Sequence, residues 1–318
     1  MKKKKLISIS ISAYNEEENI KPLSERLVKL FEVNEKYDFE AVIVDNGSID
    51  NTYDELKKIS EKDSRFKVVR LSRNFGAEGG MCAGLRHVKG DAAVIMHADL
   101  EEPPELATKF IEKWEEGYKN VYGIIKRRQG NFIRRMNSKI FYWLINKLTG
   151  NIIPKFVGDY RLVDKDVYKV VANMPERNRF QRGMFAWSGF PSIGIEYDRD
   201  TRQKGESKAT SLHVISYALS GIFMFSDIPL KISSLFGMLM SFFSFLGIVY
   251  FAVISLVLGR PVPGFATIVC LNLLLFGFLF VLIGILSEYV SMIFREVKGR
   301  PVFVVSEKIG FNDDKSDK

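Results

Sequence analysis

The chain has 318 residues, and 46 Lys and Arg against 38 Asp and Glu give it a formal charge of +8. This length fits one α/β domain with an appended membrane segment. The charge indicates an anionic partner. No basic stretch carries interleaved aromatic residues, so phosphorylated substrates and lipid headgroups are favoured over nucleic acid. The two cysteines, Cys82 and Cys270, indicate neither a disulfide framework nor a metal cluster.

The basic N-terminus, residues 1–5, resembles the start of a signal peptide. The run that follows, residues 6–12, is short and alternates with serine, which is typical of a β-strand. We therefore expect no cleaved signal.

Strand-like and helix-like segments alternate over the first 125 residues. The predicted strands are rich in Val and Ile: Leu6–Ser12, Phe39–Val44, Phe66–Leu71, Ala92–Met96 and Asn120–Ile125. The predicted helices lie between them, at about Glu16–Phe31, Thr52–Glu61, Glu78–Val88 and Glu105–Glu116. Such alternation predicts an α/β fold with a parallel, doubly wound sheet.

Polar clusters follow four of these strands, at residues 13–16, 45–48, 72–74 and 97–99. In doubly wound sheets, ligands bind beyond the carboxyl ends of the strands. The four clusters are therefore predicted to converge on one edge of the sheet.

Two amphipathic segments are predicted to lie on a membrane surface. In residues 133–148 apolar side chains recur at helical spacing, and Arg134, Arg135 and Lys139 fall on another side. An ordinary helix packed on the sheet explains the same periodicity equally well. The second segment, residues 211–227, leads into the apolar region.

Residues 228–294 are overwhelmingly apolar and predict two membrane spans, at about 232–258 and 265–287. The connection at 259–264 is short enough to require a hairpin. Lys231, Arg295, Lys298 and Arg300 flank the spans, against one Arg260 in the hairpin. The positive-inside rule then places both termini in the cytoplasm, in a multi-pass protein of the inner (plasma) membrane. Residues 1–210 form the predicted cytoplasmic domain, and residues 295–318 a cytoplasmic tail.

Asp45 and Asp99 each end a predicted strand, and Glu16 lies at the same edge. Carboxylates there suit a nucleotide or a cation on a diphosphate, although a lone strand-end Asp is more often a helix N-cap. His97 is either a metal ligand or a hydrogen-bonded strand-end histidine. A basic cluster just before the apolar region is placed to hold a lipid phosphate, the alternative being a solvated surface; it comprises Arg199, Arg202, Lys204 and Lys208.

Six motifs, in order and followed by two apolar spans, resemble those of glycosyltransferase family 2, specifically its polyprenyl-phosphate glycosyltransferases. The motifs are Ala13–Glu17 (AYNEE), Val44–Thr52 (VDNGSIDNT), Ser72–Gly76 (SRNFG), His97–Glu105 (HADLEEPPE), Gly158–Leu162 (GDYRL) and Arg202–Lys208 (RQKGESK). The resemblance covers residues 6–303.

The resemblance implies a GT-A fold and inverting transfer of a sugar from a nucleotide-sugar, with UDP as the default nucleotide. It implies polyprenyl phosphate, by default undecaprenyl phosphate, as the acceptor at a lipid bilayer. A homo-oligomer is compatible with it. It also implies roles for individual residues: Ser12, Tyr14, Glu16 and Asp45 at the nucleotide; Ala98 and Asp99 in the metal and diphosphate motif; Asp159 near the reacting centre; and Arg161, Arg199, Arg202, Ser207 and Lys208 at phosphate.

The chain departs from the family pattern within these motifs. The usual Asp-Ala-Asp-Leu-Gln-Asp is His97-Ala98-Asp99-Leu100-Glu101-Glu102 here, and Ser12, Asn46 and Ile125 replace a proline, an aspartate and an arginine. Asp99 is the main expected ligand of a divalent cation, with His97 and Glu101 as secondary candidates. Because histidine suits Mn²⁺ better than Mg²⁺, Mn²⁺ is favoured.

Two other functions are weighed against this one. A catalytically silent membrane protein that binds a nucleotide-sugar is supported only by the altered His97 motif. A polysaccharide synthase would carry a Q-x-x-R-W motif and further spans, and the sequence has neither.

Overall fold

The structure is a computed structural model that describes residues 4–126, 157–199, 226, 228–258 and 264–311. The chain divides into two compact units. The first comprises Met1–Ser216 and Arg300–Lys318, and the second is Tyr217–Gly299.

The first unit contains an eight-stranded sheet in the order β7-β5-β6-β4-β1-β2-β3-β8. The strands are β1 (Leu6–Ala13), β2 (Asp38–Asp45), β3 (Phe66–Leu71), β4 (Ala92–His97), β5 (Asn120–Ile125), β6 (Val157–Asp164), β7 (Ser192–Tyr197) and β8 (Val305–Ile309). The helices of this unit are α1 (Glu17–Val33), α2 (Thr52–Lys62), α3 (Gly76–His87), α4 (Ala107–Glu115), α5 (Lys165–Asn173) and α6 (Gln181–Trp187). The predicted α/β class and the nine elements predicted before residue 126 are confirmed.

The sheet is mixed and mostly parallel, which confirms the predicted mostly parallel α/β sheet; the alternation of strands and helices alone had indicated a parallel one. Strands β1 to β4 pair in parallel, and β5 pairs in parallel with β7. Strand β6 runs antiparallel to both β4 and β5, and β8 runs antiparallel to β3. These two strands come late in the chain, and their direction depends on distant partners rather than on local periodicity.

The last part of the chain was predicted as a tail, and that prediction is wrong for the described residues. The second long apolar helix continues to Lys298, and Val305–Ile309 then forms β8 at the edge of the sheet. Ser72 N–H donates to the carbonyl oxygen of Val304 at 2.9 Å, which extends the pairing with β3. A short strand covering an exposed sheet edge satisfies backbone groups that would otherwise remain unpaired.

Two of the alternating serines of β1, Ser10 and Ser12, face glycines of α3. Ile7, Ile9 and Ile11 are fully buried on one face of β1. On the other face, a Cβ on Gly84 would lie 2.1 Å from Ser10 Oγ, and one on Gly80 would lie 2.2 Å from Ser12 Oγ. At these distances a Cβ at either glycine would force the serine hydroxyl to move. The small residues therefore let α3 approach the centre of the sheet closely.

The second unit contains two helices that are long and apolar enough to cross a membrane. They are α7 (Ile228–Leu258) and α8 (Phe265–Lys298), and the rings of Phe236 and Phe278 lie 5.0 Å apart between them. Each helix is longer than the predicted span of 232–258 or 265–287. The predicted surface helix at 133–148, almost all of the one at 211–227, and the connection at 259–263 lie outside the described residues.

Adding a methyl group at Gly84 is expected to separate α3 from β1. We expect Gly84→Ala to destabilise the folded protein by about 1–3 kcal/mol through overpacking against Ser10. Thermal unfolding of the purified protein in detergent measures the effect.

Ser10→Ala in the same chain removes the atom that the new methyl group would meet. The double variant should therefore recover the loss, because the two sites are coupled. A Gly84→Ala variant as stable as the wild type would contradict the close approach of α3.

Candidate active site

The four polar clusters that follow β1 to β4 meet at one edge of the sheet. Asn15 N–H donates to Ser48 Oγ at 3.0 Å, which joins the first cluster to the second. The Asn46 amide donates to Asn74 Oδ1 at 3.2 Å, which joins the second to the third. Ala98 N–H donates to the carbonyl oxygen of Ser12 at 3.2 Å, which joins the fourth cluster to the residue just before the first. The predicted convergence is therefore observed, although the role of each residue remains a prediction.

The hydrogen bonds of Asn46 account for an asparagine at a position where the family usually has an aspartate. Its Nδ2 donates to the carbonyl oxygen of Gly76 at 2.9 Å, and its Oδ1 accepts from Phe75 N–H at 3.0 Å. An amide can donate and accept at once, whereas an ionised carboxylate only accepts. Gly47 follows with φ +71°, and a Cβ there would lie 2.4 Å from the carbonyl carbon of Arg73. The turn after β2 is thus packed directly against the loop after β3.

Asp45 presents an oxygen that the described residues leave without a hydrogen bond. The residue is fully buried, and its Oδ1 accepts from Ser48 N–H at 2.9 Å. Its Oδ2 lies 3.3 Å from Arg70 Nε but makes no hydrogen bond with it. The Arg70 guanidinium forms an ion pair with Oδ2 at this distance and also lies over the ring of Tyr53, at 4.0 Å. Leaving a buried acceptor without a hydrogen bond is costly, so Asp45 Oδ2 suits an N–H or O–H donor from a ligand.

The acidic motif after β4 forms a tight turn. Leu100 has φ +58°, an uncommon conformation for a residue other than glycine. Asp99 Oδ1 accepts from Glu101 N–H at 3.2 Å, and the buried carboxylate of Glu102 accepts from His97 N–H at 3.0 Å. These backbone contacts fix where the carboxylates of the motif lie.

Asp159, on β6, is held by two cations. Arg182 donates to both carboxylate oxygens at 2.7 Å, and His97 Nε2 lies 3.7 Å from Oδ2. All three side chains are mostly buried, with exposed fractions of 24% for Arg182, 18% for Asp159 and 23% for His97. The structure thus brings together two residues that the sequence singled out, His97 and Asp159, with one that it did not.

The close charges shift the pKa values of this cluster. Burial opposes the charge of His97, but the contact with Asp159 and the negative charge of Glu102 outweigh it and raise the pKa of His97 to about 9. Burial also disfavours ionised Asp159, but the Arg182 guanidinium holds the pKa of that carboxyl well below its usual range. Burial raises the pKa of Glu102 to about 7. His97 is therefore an imidazolium and Asp159 a carboxylate at neutral pH.

The predicted phosphate-binding residues divide into three groups. Arg199 reaches the acidic motif and pairs with Glu101 at 2.6 Å. Arg161 is buried, donates to the carbonyl oxygens of Gly158 and Asp159, and lies over the Phe185 ring. This arrangement gives Arg161 a structural role and lends no support to the predicted contact with phosphate. Arg202, Ser207 and Lys208 lie outside the described residues.

The remaining predicted nucleotide contacts lie at the same sheet edge. Glu16 accepts from the Asn19 amide at 2.6 Å, and its N–H donates to Thr52 Oγ1 at 2.8 Å. Ser12 and Tyr14 are half-buried, and Ala98 is buried behind them.

The residues around Asp99 suit a divalent cation that is bound mainly by the phosphate oxygens of the substrate. Among the described residues, no group of three His, Cys, Asp or Glu side chains is arranged to bind a metal ion. His97 faces Asp159, and Glu101 pairs with Arg199, so neither is placed as the sequence analysis expected of a ligand. A divalent cation can be bound by one carboxylate together with phosphate oxygens and water, and Asp99 fits that arrangement. The preference for Mn²⁺ over Mg²⁺ stays a prediction.

Comparisons with known proteins give the family. The family model described as glycosyl transferase family 2 matches residues 8–171. An uncharacterized glycosyltransferase of Synechocystis is 36% identical over 305 residues, covering 96% of each chain. The SfII prophage-derived bactoprenol glucosyl transferase of Shigella flexneri is 33% identical, covering 95% of this chain and 97% of that one. The protein belongs to glycosyltransferase family 2, and its sheet is that of a GT-A glycosyltransferase. It is an enzyme of the glycosyltransferase class.

Solved structures resemble the chain more remotely. The glucosyl-3-phosphoglycerate synthase of Mycobacterium tuberculosis is 17% identical, with a TM-score of 0.47 over 69% of this chain and 80% of that one. A likeness at this level says nothing about the ligands of this chain.

Sequence reasoning missed Arg182 and the buried position of Glu102. Arg182 lies 23 residues beyond its partner Asp159, and no periodicity links two residues on different elements. Glu102 was part of the quoted motif, but its burial depends on the turn at Leu100 and on the strands around it. Whether an acidic residue is buried depends on its neighbours in space, which the local sequence does not reveal.

The raised pKa of His97 predicts a pH-dependent contribution to stability. The folded protein holds the His97 proton up to a pKa of about 9, against an ordinary value of 6.5. This stabilisation is complete below pH 6.5 and is lost as the pH rises towards 9, because the folded state then gives up a proton that the unfolded state has already lost. Its size is about 1–3 kcal/mol.

His97→Asn removes this contribution. We expect thermal unfolding between pH 6.5 and 9 to show a steeper loss of stability for the wild type than for the variant. Parallel curves for the two proteins would contradict the ion pair with Asp159.

Proposed function

We propose that the enzyme transfers a sugar from a nucleotide-sugar to the phosphate of a polyprenyl lipid, with inversion at the anomeric carbon. The observation that carries the proposal is the buried Asp45 Oδ2, which accepts no hydrogen bond from the described residues, at the same sheet edge as Asp99 and Asp159. A buried acceptor without a hydrogen bond suits a donor from a ligand, and the acids nearby suit a cation that binds a diphosphate leaving group.

The donor end of the proposal rests on the turn after β2. A nucleotide base offers N–H groups, and a ribose offers O–H groups, that a fixed carboxylate oxygen recognises. UDP is the nucleotide we propose, because family resemblance favours it. Ser12, Tyr14, Glu16 and Ala98 lie at the same edge and are the proposed further contacts.

The acceptor end rests on relatives and on the apolar helices. Relatives in Shigella flexneri and Escherichia coli are named as bactoprenol glucosyl transferases or homologues of these, at 33% and 32% identity over most of the chain. Helices α7 and α8 suit a protein that meets its lipid substrate in a bilayer. We propose undecaprenyl phosphate as the acceptor, held by Arg199, Arg202, Ser207 and Lys208.

In the proposed reaction, an oxygen of the lipid phosphate attacks the anomeric carbon as the nucleoside diphosphate departs. The bond from that carbon to the diphosphate breaks with its electron pair on the leaving group. A phosphate monoester is already anionic, so the step needs positioning more than deprotonation. Asp159, ionised and held by Arg182, orients the acceptor or the sugar. A divalent cation bound at Asp99 would neutralise charge on the departing diphosphate.

Product formation tests the proposal directly. Purified protein in detergent or liposomes is incubated with undecaprenyl phosphate and a panel of UDP- and GDP-sugars, with Mn²⁺, with Mg²⁺ and without either. A lipid-phosphate sugar is the expected product. Binding of a nucleotide-sugar without turnover across the whole panel would instead favour a silent scaffold.

We expect Asp99→Asn and Asp159→Asn each to abolish product formation while leaving a folded protein. Both carboxylates carry charge that the proposed transition state depends on. Asp166→Asn is the matched control, because Asp166 is exposed in the first turn of α5, just beyond the opposite end of β6, and pairs with Lys119. Wild-type rates in either of the first two variants would remove that residue from the mechanism.

We expect Asp45→Asn to raise the KM for the nucleotide-sugar by about tenfold, the effect of losing about 1.4 kcal/mol of binding. The KM for the lipid should stay unchanged, because Asp45 faces the donor. Initial rates at varied donor concentration measure both constants. An unaltered donor KM would contradict the role assigned to Asp45 Oδ2.

We further propose that both termini and the first unit are cytoplasmic, because Arg295 and Lys298 end α8 and only Arg260 lies in the connection. Reporter fusions that are active on only one side of the membrane should report the C-terminus as cytoplasmic. A fusion at residue 261 should report the opposite side. If the two fusions report the same side of the membrane, helices α7 and α8 do not form a hairpin that spans it.

A further inference from the structure

We propose that Arg182 is a positioning residue, whose guanidinium fixes the plane and direction of the Asp159 carboxylate for sugar transfer. The inference rests on the proposed function, since it concerns how Asp159 meets its substrate. Nothing in the motifs of the sequence singles out Arg182.

The contact has the geometry of a clamp. Arg182 Nε donates to Asp159 Oδ1 and Nη2 donates to Oδ2, each at 2.7 Å. Two parallel bonds from a planar guanidinium fix both the position and the plane of a carboxylate. One bond would leave the carboxylate free to rotate.

Contacts at the start of α6 hold Arg182 itself in place. Arg182 is the second residue of α6, and its neighbour Gln181 is tied to α3 by two hydrogen bonds to Glu78, at 3.2 Å and 3.1 Å. Met184 and Phe185 are buried beyond it. Because the start of α6 cannot move without breaking these contacts, Arg182 holds Asp159 from a rigid support.

The other contacts of Asp159 orient it less strictly. Its backbone lies in β6, where Arg161 donates to its carbonyl oxygen at 3.3 Å. His97 Nε2 is 3.7 Å from Oδ2, an ion-pair distance beyond a hydrogen bond. Within the part of the chain that the structure describes, the Arg182 pair is the contact that fixes both oxygens, so the direction of the carboxylate depends on it.

A purely structural ion pair is the alternative. Such a pair would stabilise the packing of α6 against β6 without affecting transfer in the folded protein. The two roles differ in what is lost: a positioning role lowers kcat per folded molecule, whereas a structural role lowers the melting temperature alone.

The experiment measures kcat and both KM values for Arg182→Ala, Arg182→Lys and Arg182→Gln in the full-length protein. We expect kcat of Arg182→Ala to fall about 100-fold with both KM values near the wild type, since small misplacements of a reacting group cost this much. The kcat of Arg182→Lys should lie between those of the wild type and Arg182→Ala. The lysine ammonium keeps the positive charge but cannot bind both carboxylate oxygens as a planar guanidinium does. Guanidinium chloride should restore part of the kcat of Arg182→Ala, and sodium chloride at equal ionic strength should not.

Arg179→Ala is the matched control on the same segment. Arg179 is also buried, but its guanidinium donates to the carbonyl oxygens of Met174 and Val171. We expect this variant to lose thermal stability and to keep its kcat per folded molecule. Folding of each variant is checked by its melting temperature, and if Arg182→Ala does not fold, the Lys and Gln variants carry the test.

Three results would overturn the inference. They are wild-type kcat in a folded Arg182 variant, a loss confined to one KM, and a loss that guanidinium does not restore. A wild-type protein that forms no lipid-linked sugar with any donor would instead refute the proposed function. If the wild type is active and the Arg182 variants keep its kcat, the inference is refuted and the proposed function stands.

Discussion

Neighbouring carboxylates at one sheet edge repel one another unless cations lie among them, and this constraint shapes the whole site. Asp159 is balanced by Arg182 and His97, and Glu101 is balanced by Arg199. The family places an aspartate at position 97 and a glutamine at position 101. The chain therefore gains a positive charge at the first position and a negative charge at the second. Each new charge has an opposite charge within 4 Å, so each is paired where it lies.

The altered motif need not imply a silent enzyme. His97 removes one carboxylate from a crowded site and supplies a second positive charge, beside the Arg182 guanidinium that mainly keeps the pKa of Asp159 low. Asp99, the residue suited to a cation on the diphosphate, remains in a turn that backbone hydrogen bonds fix. The substitution thus alters how the acids are balanced, while the carboxylates on which the proposed transfer depends stay at the same edge.

The charged side chains can stay close together because the backbone around them is tightly packed and has little room to move. Gly80 and Gly84 bring α3 against the serines of β1, and the Asn46 amide ties the turn after β2 to the loop after β3. Close packing of this kind resists side-chain shifts. Charges held in a rigid, partly buried site interact more strongly than the same charges in water. Small residues of α3 and β1 thus form part of the rigid support beneath the charged edge.

The sequence by itself determined the elements that precede residue 126, the class of the fold, the two apolar helices and the family. Hydrophobic periodicity and strand-end polar clusters are local properties, readable within a few residues. Only the tertiary structure decided the direction of β6, the return of β8 to the sheet, the burial of Arg161 and the clamp of Arg182 on Asp159. Each of these joins residues far apart along the chain, and the energy of such a contact depends on packing and desolvation that no local pattern encodes.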